Sequence, residues 1–313
     1  AFANATIGIT DKFDLTLGGR YSHNKQSEAE DLTGILVGGH VAINGDSSEN
    51  VFTYSLAPKF KINEQMAVYA RVAKGFRPGG PNVIPLNAPP GTPTSYDSDS
   101  LVSYEAGFRG DTANRAVSFD VAAFHIDWKN IQLFARVNNI GLNTNASHAK
   151  SDGVELATTF RPVQGLSLAL SGAYTNAKLT AGTDPVLVGG RDGDQLPYTP
   201  KLSLTASADY DWSIASGRDA YVGASLSHSD KTPAGFDAAF VAANHRQRFL
   251  PSYETVDAHA GISFGKFSLE LFGRNLTNEE GKTSVETGST PLGQVATGVI
   301  RPRSFGLTAT AEF

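Results

Sequence analysis

Apolar and polar residues alternate along most of this chain. In the segment RSFGLTATAEF, Phe305, Leu307, Ala309, Ala311 and Phe313 share one parity, and Ser304, Gly306, Thr308, Thr310 and Glu312 share the other. Successive side chains of a strand point to opposite faces, so one face is apolar and the other wet. The alternation recurs with Leu202, Leu204, Ala206 and Ala208 against Ser203, Thr205, Ser207 and Asp209. It recurs again with Val256, Ala258, Ala260 and Ile262 against Thr255, Asp257, His259 and Ser263. A helical 3.6-residue repeat is not sustained anywhere. The pattern predicts thirteen strands, near residues 2–9, 14–26, 50–61, 66–76, 101–110, 115–128, 151–161, 166–178, 200–212, 219–230, 252–264, 266–276 and 303–313. Many exceed the roughly five or six residues of an ordinary strand. They match the roughly 9–11 residues with which a tilted strand crosses a bilayer.

The connections sharpen this expectation. Short ones fall at 10–13, 62–65, 111–114, 162–165, 213–218 and Gly265, and long ones at 27–49, 77–100, 130–149, 179–198, 231–250 and 278–300. They alternate strictly. A soluble sandwich has no reason to do so, whereas a barrel of the outer-membrane type has short turns on one side and long loops on the other. The expected fold is therefore all-β, an antiparallel transmembrane β-barrel whose closure removes sheet edges from lipid. Aromatic residues fall near strand ends: Tyr210, Trp212, Tyr221 and Phe313 at the short-turn side, Trp128, Tyr174 and Tyr253 at the long-loop side. They are the candidate membrane-interface aromatics, although strands of a soluble protein also collect aromatics.

Composition supports the reading. Only 18% of the 313 residues are charged, against about 25% in soluble domains. A net charge of −5 without a basic tract argues against a nucleic-acid partner. The absence of cysteine excludes disulfides and thiolate metal sites. No apolar run reaches the 18 or so residues of a membrane helix. Bacterial single-chain barrels have an even strand number, and the first strand starts at residue 1 without an export signal. The expectation is thus a C-terminal piece of a larger barrel, exposing two unpaired edges and forming no stable barrel alone.

Seven charged residues within the strands have the polar parity: Arg20, Arg71, Glu105, Arg109, Glu155, Glu270 and Arg274. A charge facing lipid costs about 2–4 kcal/mol at the midplane, so these face the lumen, either as a solvated wall with ion pairs or against a plug. The seven histidines, at 23, 40, 125, 148, 228, 245 and 259, have no metal-ligand spacing. Asp192-Gly193-Asp194 reads as a solvated turn rather than a calcium loop. His228-Ser229-Asp230 places triad residue types side by side, but strand neighbours point to opposite faces. No catalytic constellation, metal or cofactor is expected. Gly75–Asn82 lacks the G-K-[ST] of a phosphate loop. It reads either as a strand exit and turn or as a ligand-contacting loop, with Arg77 and Asn82 as candidate ligand-binding residues.

Tyr69 followed by Gly75-Phe76-Arg77-Pro78-Gly79-Gly80 resembles the Y-x-x-x-x-x-G-F-R-P-G-G segment of TonB-dependent outer-membrane receptors. Ser103-Tyr104-Glu105-Ala106-Gly107, Ser151-Asp152-Gly153-Val154-Glu155-Leu156, Arg274-Asn275-Leu276-Thr277-Asn278 and Arg301-Pro302-Arg303-Ser304-Phe305-Gly306-Leu307 resemble that family too, in the same order. The resemblance implies a 22-stranded plugged barrel, of which residues 1–313 are the last thirteen strands. The plug, the segment that engages TonB and the first nine strands are absent. The segment after Asn278 lacks an aromatic common in relatives. By resemblance the function is active, TonB-energised uptake of a scarce ligand, most often a ferric siderophore, through the outer membrane of a Gram-negative bacterium. The implied partners are outer-membrane lipid, the plug in cis, the TonB energising complex and an extracellular ligand. Two rivals stay open: a passive porin-like channel, and a surface all-β binding or adhesion protein.

Overall fold

The computed structural model describes the chain apart from residues 36–37, 83, 85–89, 138–139, 147, 216, 287–294 and 313. One antiparallel sheet dominates. Its thirteen strands are β1 (Phe2–Thr10), β2 (Phe13–Gly34), β3 (Gly39–Lys61), β4 (Met66–Arg77), β5 (Asp99–Asp111), β6 (Val117–Lys129), β7 (His148–Phe160), β8 (Leu166–Leu179), β9 (Leu202–Ala215), β10 (Arg218–Ser229), β11 (Tyr253–Phe264), β12 (Phe267–Arg274) and β13 (Ser304–Ala311). Each pairs with its predecessor, so the order in space is the order in the chain. This is a partial barrel wall, as the alternation predicts. Among the described residues β1 and β13 do not pair with each other.

One expected connection is corrected. Residues 27–49 are not a loop: β2 and β3 continue as a paired hairpin, in register from Gln26 opposite Ser47 to Gly34 opposite Gly39. The reason is physical. Ser27, Glu28, Glu30 and Asp31 on one strand, and Asn44, Asp46, Ser47 and Ser48 on the other, are polar on both parities. Where a hairpin projects beyond the wall both faces meet water, so the contrast that marks a strand disappears while backbone pairing continues. Among the described residues, four of the five other long connections carry a small strand pair each. The pairs are Gly80–Pro81 with Ser95–Tyr96, Gln132–Val137 with Ile140–Asn145, Thr232–Pro233 with Phe249–Leu250, and Lys282–Glu286 with Ala296–Val299. A seven-residue helix, α1 (Ala238–Asn244), starts at Asp237, whose carboxylate accepts from the Phe240 N–H at 3.0 Å.

Register decides which face is which. Arg71 lies opposite Glu105, Glu105 opposite Phe124, and Arg109 opposite Asp120. Residues of this parity from β3 to β7, among them Lys59, Arg109, Asp120 and Thr159, line one concavity of about 680 Å³. The polar face is therefore the concave one. The convex face presents Val68, Phe108, Val154, Leu226, Leu271 and Leu307, each at least one-third exposed. An apolar surface of this extent needs an apolar environment. No described helix is long and apolar enough to cross a membrane. The buried core lies among the long loops instead, where Ile131, Leu133, Leu142, Leu179, Val188 and Leu196 pack together. The loops thus form a cap with its own hydrophobic centre.

Candidate ligand-binding cap and lumen wall

The G-F-R-P-G-G segment anchors the cap. β4 ends at Arg77, directly opposite Asp99 at the start of β5. The Asp99 side chain is 1% exposed and forms an ion pair with Arg77. It also accepts from the Arg77 backbone N–H at 3.2 Å and from the Gln132 N–H at 3.0 Å. The Arg77 guanidinium lies 4.9 Å from the centre of the Trp128 ring, and its Nη2, which also bonds Asp99, donates to the Gln132 carbonyl at 3.1 Å. Gln132 returns two bonds, to the carbonyls of Pro78 at 2.8 Å and Asp97 at 3.0 Å. Gly79 is needed at the crossing, since a Cβ there would stand 2.5 Å from the Tyr96 carbonyl oxygen. Gly79→Ala is therefore expected to loosen the cap at a cost of about 2 kcal/mol, seen as faster proteolysis of the 78–98 connection with an unchanged barrel melt.

Both candidate ligand contacts take part in this clasp. Asn82 is buried, and its side chain joins two loops by donating to the carbonyls of Pro93 and Asn143 at 3.2 and 2.7 Å and accepting from the Asn143 N–H at 3.0 Å. Both amide hydrogens of its side chain are used in these contacts. Arg77 keeps a half-exposed guanidinium, with Nε and Nη2 committed to Asp99 and Gln132. The strand-exit reading fits this segment better than the ligand-contact one. Asp99 and Gln132 escape a motif search. Asp99 becomes visible if β4 and β5 are paired from Arg71–Glu105 outward, because the register then meets Arg77 and Asp99.

On the wall, Arg71 donates to Glu105 at 3.0 Å, Arg109 lies over the Tyr69 ring, Arg274 lies over Phe272, and Arg20 reaches Ser22 at 3.1 Å. All share the concave face with Glu155 and Glu270. The interface aromatics divide. Tyr174, Tyr210 and Trp212 are on the convex face, the last two stacked at 5.4 Å. Trp128, Tyr221 and Tyr253 are not. Trp128 lies opposite Leu101 under the cap, Tyr221 lies over Gly261 and donates to Glu270 at 3.0 Å, and Tyr253 packs on Gly281. Position near a strand end was correct for these three, but parity puts them inside. Phe313 falls outside the described residues. In the projecting hairpin, partial burial and the neighbouring Glu30 carboxylate raise the Glu28 pKa above its ordinary value.

A second feature opens in the cap. A cavity of about 340 Å³ is lined by Phe134, Tyr198, Phe236, Asp237 and Arg248. Phe134 and Tyr198 are about half exposed, so the mouth is open. The Arg248 guanidinium stacks 4.1 Å from the Phe240 ring centre and stands 3.6 Å from Asp237. Its Nε is buried without a hydrogen-bond partner. Aromatic walls beside an incompletely satisfied guanidinium suit a planar, acidic ligand.

Comparison with known proteins agrees with the wall and its motifs. The profile of the family described as TonB dependent receptor-like, beta-barrel matches residues 1–276. The chain belongs to that family. Among curated relatives, the pesticin receptor of Yersinia pestis is 27% identical over 212 residues, covering 67% of this chain and 29% of the relative. The metal-pseudopaline receptor CntO of Pseudomonas aeruginosa is 23% identical over 256 residues, covering 80% and 32%. The chain thus spans about a third of the length of these relatives. In fold it is similar to the ferric yersiniabactin uptake receptor FyuA of Yersinia pestis, with a TM-score of 0.79 at 21% identity over 100% of this chain and 45% of that one. It is also similar to the ferric-catecholate import receptor Fiu of E. coli K12 in its closed form, with a TM-score of 0.74 and 21% identity over 100% and 44%. These relatives are receptors rather than enzymes, as expected of a chain without a catalytic constellation.

Proposed function

We propose that residues 1–313 form the barrel wall and outer cap of an outer-membrane receptor that takes up a metal chelate, most favourably a ferric siderophore, with energy supplied through TonB. In this reading the wall belongs to a 22-stranded barrel in a Gram-negative outer membrane, and a plug in cis contacts the charges on the concave face. The observation that carries the ligand class is the cavity holding Phe134, Tyr198, Phe236 and the incompletely bonded Arg248. Siderophores are rich in aromatic and acidic groups, which such a cavity accommodates. Family membership and the fold support the receptor reading, and the names of the relatives support a metal chelate as cargo.

The test uses the full-length receptor. Ferric yersiniabactin and a ferric catecholate serve as probes, with quenching of intrinsic fluorescence as readout. Arg248→Ala is expected to weaken binding of the accepted probe by about tenfold, the value of one charge-assisted hydrogen bond. Uptake by cells should stop when the proton gradient is collapsed. Uptake that survives collapse of the gradient would make the chain part of a passive pore.

A further inference from the structure

Six non-glycine residues among the described ones have a positive φ: Arg115, Asn130, Tyr198, His245, Asn275 and Asn278. Three are asparagines, which tolerate this region, and His245 closes α1 with its N–H on the Val241 carbonyl at 2.8 Å. Arg115 sits in the short turn between β5 and β6, where its N–H bonds the Thr112 carbonyl at 2.7 Å. Tyr198 is different. It carries a large ring, at φ 56°, in a conformation that bulky side chains rarely adopt. Pro197 precedes it in the turn of residues 196–199, so Tyr198 holds the position that Gly or Asn normally takes after such a Pro.

Two fastenings hold the turn in this shape. The Leu196 N–H bonds the Ala177 carbonyl of β8 at 3.0 Å, and the Tyr198 N–H bonds the Pro233 carbonyl at 2.8 Å. The backbone is thus pinned from both sides, but the side chain is not. Among the described residues the Tyr198 hydroxyl bonds no other group, and the residue is 48% exposed. The ring lines the open cavity beside Phe134, Phe236 and Arg248. It leans over Gly235, where a Cβ would stand 3.6 Å from its hydroxyl oxygen. A strained residue whose side chain fastens nothing points to a function. A φ of ordinary sign would swing the Cα–Cβ bond to the other side of the turn and take the ring from the mouth of the cavity.

We propose that Tyr198 determines specificity in this cavity: the strained turn presents its ring as a stacking platform for the aromatic group of the bound chelate. Tyr198 and Phe134, both about half exposed, then supply ring faces, and Arg248 supplies a charge-assisted hydrogen bond. An aliphatic chelate has no ring to lay on the platform and gains nothing from it. The proposal rests on the reading of this cavity as the ligand site, and Arg248→Ala tests that reading separately.

The experiment titrates the full-length receptor with ferric yersiniabactin, a ferric catecholate and a ferric hydroxamate by isothermal calorimetry, the first two carrying phenolic rings. Tyr198→Asn suits the positive φ and removes the ring. It is expected to weaken binding of the phenolic chelates by about tenfold and to leave any binding of the hydroxamate unchanged. Tyr198→Phe keeps the ring and should bind within about threefold of the unaltered receptor. Relief of strain gives a second readout. The Asn variant should be cleaved within 180–200 no faster than the unaltered receptor, and up to about fivefold more slowly. A ring needed for packing would give faster cleavage, which would overturn the proposal. Equal weakening of all three probes would overturn it too, as would equal loss in the Phe and Asn variants. A receptor that binds neither phenolic chelate would overturn it outright. If Arg248→Ala weakens binding and Tyr198→Asn does not, the cavity holds the ligand but Tyr198 does not select it. If neither variant changes binding, the cavity reading fails along with the proposal.

Discussion

Replacing Asp99 with alanine is expected to unfasten the cap at a cost of about 3 kcal/mol while the barrel wall stays folded. The carboxylate is essentially inaccessible, and it joins three chain segments: the end of β4 through Arg77, the start of β5, and the 130–147 connection through the Gln132 N–H. Its removal leaves the Gln132 N–H without its acceptor and releases the Arg77 guanidinium from its position over Trp128. An exposed pair gives the contrast. Arg71 and Glu105 stand 3.0 Å apart, but with the Arg71 side chain 48% exposed, and Arg71→Ala should cost less than about 1 kcal/mol. Limited proteolysis of the full-length receptor distinguishes the two. Asp99→Ala should speed cleavage within 78–98 and 130–147 by about two orders of magnitude, the population change equivalent to that energy. Asp99→Asn, which keeps the acceptor and loses the charge, should fall between. If Asp99→Ala leaves cleavage unchanged, the clasp does not hold the cap.

The wall was legible in the alternation because a barrel in lipid gives each strand two chemically opposite faces. Leu204, Ala206 and Ala208 against Ser203, Thr205 and Ser207 carry that contrast at every step. The contrast fails wherever one environment surrounds both faces. The β2–β3 hairpin above the membrane is polar on both sides, so its pairing left no trace in hydropathy. Parity also explains the division of the aromatics. Tyr210 and Trp212 share the parity of Leu204, whereas Tyr221 shares that of Ser225 and Ser227, and its hydroxyl reaches Glu270. Nearness to a strand end says how high a ring stands, and only parity says on which side.

The cap was much less legible. Its fastenings join residues far apart in sequence, such as Asn82 with Asn143 and Gln195 with Gln247. They use backbone carbonyls that any residue supplies. Arg77 and Asn82 were conspicuous as polar residues in a glycine-rich turn, and the geometry shows both of them joining the loops to one another. Arg248, which retains an unpartnered buried nitrogen, had no motif around it. Its place beside the cavity follows from where α1 and the 130–147 connection bring Phe240, Asp237 and Phe134, and sequence alone does not contain that meeting.

The assignment of faces leads to the second large effect. Ala206→Arg is expected to destabilise the full-length barrel by about 2–4 kcal/mol, and Ser207→Arg, one residue away, by close to nothing. Ala206 lies between Leu170 and Leu226 in the sheet, six residues from Trp212 at the short-turn end and near the middle of the apolar band. An arginine there is either desolvated in hydrocarbon or must draw water and headgroups inward, and both are costly. Ser207 lies opposite Ala169 and Ser225 on the concave face, where a guanidinium meets water and carboxylates such as Asp209. Ala206→Leu controls for size, because a larger apolar group on a lipid-facing position displaces only lipid, and it should be tolerated. Guanidinium unfolding in lipid vesicles measures all three against the unaltered receptor. An equal penalty at 206 and 207 would mean that both faces see the same medium. The convex surface would then be no membrane surface.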